Sequence, residues 1–145
     1  MNLLAPIYGR QRVKNIESDD VARLINRDDR AVVLVDVRSD PEIAVSMIPG
    51  AITRSEFYER RREHRDKLII VYCTVGGRSL LFAQQCDREG FDVVNYGGSI
   101  LAWCEAGNAL VTPSGAATQK VHTHNRFFKA PMGYERDLAS KSHAN

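Results

Sequence analysis

Two unbroken apolar runs, Ala31-Val32-Val33-Leu34-Val35 and Leu68-Ile69-Ile70-Val71-Tyr72, constrain this chain more than any other feature. Each is too short for a helix, rich in β-branched residues, and without a polar face to turn to water. Such a segment is stable only when both of its sides are covered, as in a central strand of a parallel sheet. In both runs polar residues return abruptly at the C-terminal end. Asp36, Arg38, Ser39, Asp40 and Pro41 follow the first, and Cys73-Thr74-Val75-Gly76-Gly77-Arg78 follow the second. Open α/β sheets place their sites at such strand ends.

The intervening segments fit that plan. Asp19 to Arg27 reads as a helix with Ser18 as N-cap and Val21, Leu24 and Ile25 on its apolar face. Pro41 opens a short helical turn, and Ile48-Pro49-Gly50-Ala51 is a turn. Ser55 to Asp66 reads as a charged surface helix with His64 in solvent. Ser79 to Glu89 is a third helix, with Leu80, Leu81, Ala83 and Gln84 adjoining and Gly90 as its C′ residue. Phe91 to Asn95 is a further strand, Gly97-Gly98 a tight turn, and Ser99 to Ala106 a helix closed by Gly107. The alternation predicts an α/β fold with a mostly parallel sheet.

At 145 residues the chain is expected to form one domain over residues 1–112, with an extension over 113–145. From 108 onward it carries five cations against two anions and three of the four histidines. Val121, Phe127, Phe128, Met132 and Tyr134 are too apolar for a free tail, so this part is expected to dock on the domain or on a partner. Asp137 to Asn145 is polar enough to be disordered.

The longest apolar run, Leu68 to Cys73, falls far short of the roughly 20 residues of a membrane span. Pro6, Gly9, Arg10 and Arg12 interrupt any secretory h-region. The formal net charge is +2, and the densest basic stretch, Arg54 to Lys67, mixes six cations with four anions. Such a mixture marks a solvated face rather than a nucleic-acid surface. Three cysteines, Cys73, Cys86 and Cys104, make an odd set with no C-x-x-C, which points to a reducing, cytoplasmic setting. No nucleic-acid or membrane partner is expected, and a homodimer stays open.

Cys73 is the thiol with chemistry around it. It stands between a buried strand and a helix start, where unpaired N–H groups and about half a positive charge favour a thiolate. Gly76 and Gly77 let successive N–H groups converge on the sulfur, and Arg78 adds a full charge nearby. Cys86 lies about 10 Å further along the helix axis, too far to resolve a disulfide with Cys73. Cys104, beside the core anchor Trp103, reads as structural. His122-x-His124 offers two metal ligands but no third, so both histidines are read as surface residues and no metal is assigned.

Four segments in register resemble the successive motifs of single-domain rhodaneses. They are Val35-Asp36-Val37-Arg38, Ile48-Pro49-Gly50-Ala51, Val71-Tyr72-Cys73 with Arg78-Ser79 beyond a four-residue gap, and Tyr96-Gly97-Gly98-Ser99-Ile100-Leu101-Ala102-Trp103. The resemblance implies a rhodanese-like, mostly parallel five-stranded sheet flanked by helices. It also implies sulfur transfer through a cysteine persulfide. Cys73 matches the nucleophile, and Thr74, Val75, Gly76, Gly77 and Arg78 match the loop that holds the sulfur. Asp36 and Arg38 match a charged pair that supports the pocket.

Ser46-Met47 replaces the Gly-His that many relatives carry before Ile-Pro-Gly-Ala. The loop also lacks the extra Lys or Arg of some thiosulfate users. The expected activity moves a sulfane sulfur from a small donor such as thiosulfate to cyanide, a thiol or a protein, with no metal or organic cofactor. Two rivals remain: an interaction module on the same fold that uses its aromatic tail, and a phosphatase or arsenate-reductase-like enzyme. The last is disfavoured because those loops place five residues between Cys and Arg, and this one has four.

Overall fold

The structure, a computed structural model, describes residues 13–27 and 31–139. Along the chain come β1 (Lys14–Ile16), α1 (Ser18–Ile25), β2 (Val32–Asp36), α2 (Asp40–Val45), β3 (Ile52–Thr53) and α3 (Arg54–Glu59). They continue with β4 (Leu68–Tyr72), α4 (Gly77–Arg88), β5 (Asp92–Tyr96) and α5 (Ser99–Glu105). Strands β1 to β5 form one parallel sheet in the order β1-β5-β4-β2-β3. The two apolar runs are neighbours in its middle, with Val35 opposite Val71 and Asp36 opposite Tyr72.

Alternation along each strand sends side chains to two cores. Val33, Val35, Ile69 and Val71 meet Phe57, Phe82 and Cys86 on one face. Leu34, Ile70, Tyr72 and Tyr96 meet Val21, Ile100, Trp103 and Cys104 on the other. Each fully buried large apolar side chain contributes about 1.5–3 kcal/mol. A sheet covered on both faces leaves its strand ends as the place where polar groups can gather.

Several expectations are corrected. Glu17, not Ser18, caps α1, because Asp20 accepts the Glu17 N–H while the Ser18 hydroxyl is engaged by Tyr96. The expected helix from Ser55 to Asp66 breaks after Glu59. Arg60 leaves helical geometry, and Arg61–His64 forms a 3₁₀ turn. The break folds His64 back into the core, stacked on Phe57 with centroids 5.6 Å apart, rather than into solvent. Helix α4 begins at Gly77 and buries Ser79, Phe82, Ala83 and Cys86, one face at helical spacing. Leu81 is exposed because that face starts from Ser79.

The extension is built of short strands laid on the domain. β6 (Leu110–Val111) pairs with β7 (Ala117–Thr118), and Val111 also exchanges two backbone hydrogen bonds with Met47. β8 (Lys120–Val121) pairs in parallel with β9 (Glu135–Arg136). Val121 is fully buried in the second core, and the half-buried Tyr134 donates its hydroxyl to the Asn108 carbonyl. Met132 (98% exposed), Phe127 (79%) and Phe128 stand in solvent, so two of the five apolar side chains expected to dock do so on this chain. Asp137 donates its amide to the Val121 carbonyl, and Leu138 and Ala139 are half-buried. The expected disorder therefore does not begin at Asp137. Residues 140–145 lie outside the described residues.

Candidate active site

Cys73 follows directly on β4, and α5 closes over the same strand end. The Ile100 and Leu101 amides donate to the Cys73 and Thr74 carbonyls at 3.1 and 3.3 Å. Ser99 is held at φ +58°, which aims its hydroxyl inward; Oγ accepts the Cys73 N–H at 3.0 Å. The turn back toward α4 depends on Gly76, at φ +110°. A Cβ there would lie 2.3 Å from the Gly97 carbonyl oxygen, so the loop and the turn after β5 interlock only through glycine.

These contacts converge on the sulfur. The Gly76 N–H donates to Cys73 Sγ at 3.0 Å, and Ser79 Oγ and Ser99 Oγ lie 3.5 and 3.8 Å from it. Burial opposes ionisation of Cys73. The Ser79 hydroxyl and amide, the Gly76 amide and the Ser99 hydroxyl outweigh it, so the thiol is held below its ordinary pKa. Burial pushes Cys86 and Cys104 up to about 12, which leaves them inert thiols in the two cores. Of the three cysteines, Cys73 alone has its thiol shifted toward ionisation.

Arg78 does not point its hydrogen bonds at the sulfur. Its guanidinium grips Glu42 of α2 with both terminal nitrogens, at 2.7 and 2.8 Å, and reaches Thr74 Oγ1 at 3.2 Å. Thr74 Oγ1 donates to Glu42 Oε2 at 2.7 Å, while the Ser39 amide and hydroxyl donate to Oε1. Glu42 is 1% exposed. Burial works against its charge, yet hydrogen bonds from Arg78, Thr74 and Ser39 hold its carboxyl far below the usual carboxylate range. The carboxylate thus ties the first and last residues of the Cys73 loop to α2. Within the loop Thr74 and Gly76 face inward, and Val75 and Gly77 are exposed.

Asp36 and Arg38 form the layer beneath. Arg38 Nε and Nη2 donate to the Asp36 carboxylate at 2.9 and 2.7 Å, and Nη2 also reaches the Ser46 carbonyl. The Tyr72 hydroxyl donates to Asp36 and accepts the Ile48 N–H. This buried network fastens the Ser46–Ile48 turn to the strand ends and does not touch the sulfur. Burial lowers the affinity of Arg38 for its proton, but the Asp36 charge and hydrogen bonds more than restore it.

Glu42, Ser79 and Ser99 were not foreseen. Glu42 had a local signal, since Ser39-Asp40-Pro41-Glu42 is a capping box whose Glu42 accepts the Ser39 N–H. Nothing local announces its second partner, Arg78, 36 residues away. Of the two histidines read as surface residues, His124 is exposed as expected, and His122 is corrected. His122 is buried, and His124 Nδ1 stands 3.6 Å from Glu42 Oε2.

Comparison with known proteins agrees with this fold. The family model described as Rhodanese-like domain matches residues 17–106. A sulfurtransferase of Allochromatium vinosum is 33% identical over 108 residues, covering 71% of this chain and 99% of the relative. The Bacillus subtilis protein YtwF is 33% identical over 94 residues, covering 63% of this chain and 90% of the relative. Among solved structures, a rhodanese-related protein of Thermoplasma volcanium superposes with a TM-score of 0.58 at 29% identity, over 68% of this chain and 97% of that one. With its parallel sheet, its Cys73 loop and these relatives, the chain belongs to the rhodanese-like sulfurtransferase family.

Proposed function

We propose that this protein transfers a sulfane sulfur by double displacement, with Cys73 as the carrier. The Cys73 thiolate attacks the outer sulfur of a donor such as thiosulfate. The donor S–S bond breaks, sulfite leaves with the electron pair, and Cys73 becomes a persulfide. An acceptor such as cyanide then attacks the outer sulfur and departs as thiocyanate, returning the Cys73 thiolate. Each step needs a stabilised sulfur anion and no metal or organic cofactor.

One observation carries this reading: the Gly76 amide 3.0 Å from Cys73 Sγ, joined by the Ser79 and Ser99 hydroxyls. The Gly76 N–H, with the Ser99 hydroxyl at longer range, donates to the sulfur and offsets the cost of a buried anion, whether thiolate or persulfide. The Ser79 hydroxyl accepts the proton of the neutral thiol. Loop length supports it too, because four residues between Cys73 and Arg78 suit one sulfur on the thiol rather than a tetrahedral oxyanion. Steady-state kinetics with thiosulfate and cyanide provide the test. Parallel double-reciprocal lines are expected for the wild type, with turnover abolished in Cys73→Ala. Intersecting lines, or turnover surviving in Cys73→Ala, would remove the carrier mechanism.

A further inference from the structure

The family match ends at residue 106, and the chain beyond it closes on itself through a buried histidine. His122 is 7% exposed, and its Nδ1 accepts the His124 N–H at 3.0 Å. An imidazole nitrogen that accepts carries no proton, so the proton sits on Nε2. That nitrogen is left to make the hydrogen bond joining the ring to the Leu138 backbone. Both nitrogens of His122 are thus engaged by main-chain groups on the two sides of the exposed 126–132 loop, and only the neutral ring satisfies both.

The returning segment is otherwise lightly held. β9 pairs with β8 over two residues; the Glu135 amide donates to the Gln119 carbonyl at 2.8 Å and the Asp137 amide to the Val121 carbonyl at 3.0 Å. So short a ladder is a marginal structure by itself. Val121 is locked in the core, whereas Leu138 and Ala139 are half-buried. Together with His122 and His124 they face Ser39, Pro41 and Glu42 of the α2 region across a cleft.

We propose that protonation of His122 unlatches residues 135–139 from β8 and α2, which makes this segment an acid-released strap. A proton added at Nδ1 sets an N–H against the His124 N–H and breaks that bond. The cation is also costly to keep buried. Both effects favour an open state in which the ring reaches water and its bond to Leu138 is lost. The charged groups acting on the ring are Glu42 from α2, Arg38 from the loop after β2 and His124 from its own segment. Glu42 and Arg38 keep their charges between about pH 5 and 8, the first favouring the imidazolium and the second opposing it. Burial outweighs Glu42 and holds the His122 pKa below the ordinary 6.5. His124 acts in the opposite sense, because its protonated ring would attract Glu42, 3.6 Å away. Its side chain is 48% exposed, so water and salt screen that contact. The latch is therefore complete above about pH 6.5 and weakens progressively below it.

Amide hydrogen exchange of the full chain by NMR, from pH 7.5 to 5 and corrected for the intrinsic pH dependence of exchange, reads the strap at Glu135 and Asp137. Their protection is expected to fall about tenfold across that range, while the Val111 amide, bonded to Met47, stays within about twofold. His122→Asn keeps a side-chain acceptor for the His124 N–H but cannot titrate, so its strap protection is expected to be flat with pH. His124→Asn, which tolerates the φ of +76° there, is expected to retain the wild-type fall. The ring signals of His122 give a second reading: the Nε2–H tautomer at pH 7.5, and a titration midpoint that coincides with strap opening. Constant protection of Glu135 and Asp137 in the wild type, a fall undiminished in His122→Asn, or one abolished in His124→Asn would overturn the latch.

Discussion

Arg78 and Glu42 form a bidentate ion pair, Nη1 to Oε1 at 2.7 Å and Nη2 to Oε2 at 2.8 Å, that binds the end of the Cys73 loop to helix α2. The pair assigns Arg78 to holding the loop in shape rather than to direct hydrogen bonding of the sulfur. Glu42, ahead of Cys73, is what holds the proton on Arg78, and the groups that lower the Cys73 pKa are Ser79, Gly76 and Ser99. Arg78→Ala is expected to destabilise the protein by about 1–3 kcal/mol, less than the roughly 3–5 kcal/mol of a fully buried pair, because the Arg78 side chain is 37% exposed. Arg78→Lys is expected to recover only part, since an ammonium lacks the planar fork. Urea denaturation of the three proteins measures both effects; equal stability of wild type and Arg78→Ala would show the pair to be idle.

Gly76 and Gly77 are adjacent but physically different. A Cβ on Gly76 would strike the Gly97 carbonyl at 2.3 Å from a positive φ, whereas one on Gly77 meets nothing within 4 Å. Gly76→Ala is therefore expected to cost about 2 kcal/mol or more and to lose the Cys73 adduct, while Gly77→Ala stays within about 0.5 kcal/mol. Thermal melts together with adduct yield compare the two; similar behaviour would remove the interlock from the account.

The two central strands and the Cys73 loop were legible because their information is local. Burial on both faces writes a continuous apolar run, and a nucleophile loop between strand and helix needs its glycines in place. Glu42 was not, because its role depends on a residue on another element. The depth of His64 was also hidden: it follows from a helix break at Arg60 that brings the ring onto Phe57. The exposure of Phe127 and Met132 was missed because apolar composition says that a segment has something to bury, not which side chains reach the core.

His64 gives the stability a pH dependence with a definite sign. Burial is the main cause that lowers its pKa in the folded state from the ordinary 6.5, with Lys67 adding to it. The unfolded chain then binds the proton first as pH falls, so this contribution to stability is complete above about 6.5 and is lost progressively below it. His64→Phe keeps the stack on Phe57 and removes the titration. Its stability between pH 5 and 7 is expected to be flatter than that of the wild type, as urea midpoints across that window would show; identical slopes would exclude His64 as the cause.

The extension is anchored at Val121 rather than at its exposed aromatics. Val121→Ala is expected to cost about 1–3 kcal/mol, and Phe127→Ser or Met132→Ser less than about 0.5 kcal/mol. Hydrogen exchange gives the matching pattern: the Asp137 amide, bonded to the Val121 carbonyl, is expected to exchange more slowly than those of the exposed 126–132 loop. Uniformly fast exchange across 120–137 would contradict docking.

The central claim, that Cys73 carries the sulfur, is tested most directly by intact-protein and peptide mass spectrometry after thiosulfate treatment. The account predicts a gain of about 32 Da on the peptide containing Cys73, present in Cys86→Ala and Cys104→Ala and absent from Cys73→Ala. A sulfur adduct on Cys86 or Cys104 with Cys73 unmodified, or no adduct on any cysteine, would contradict it.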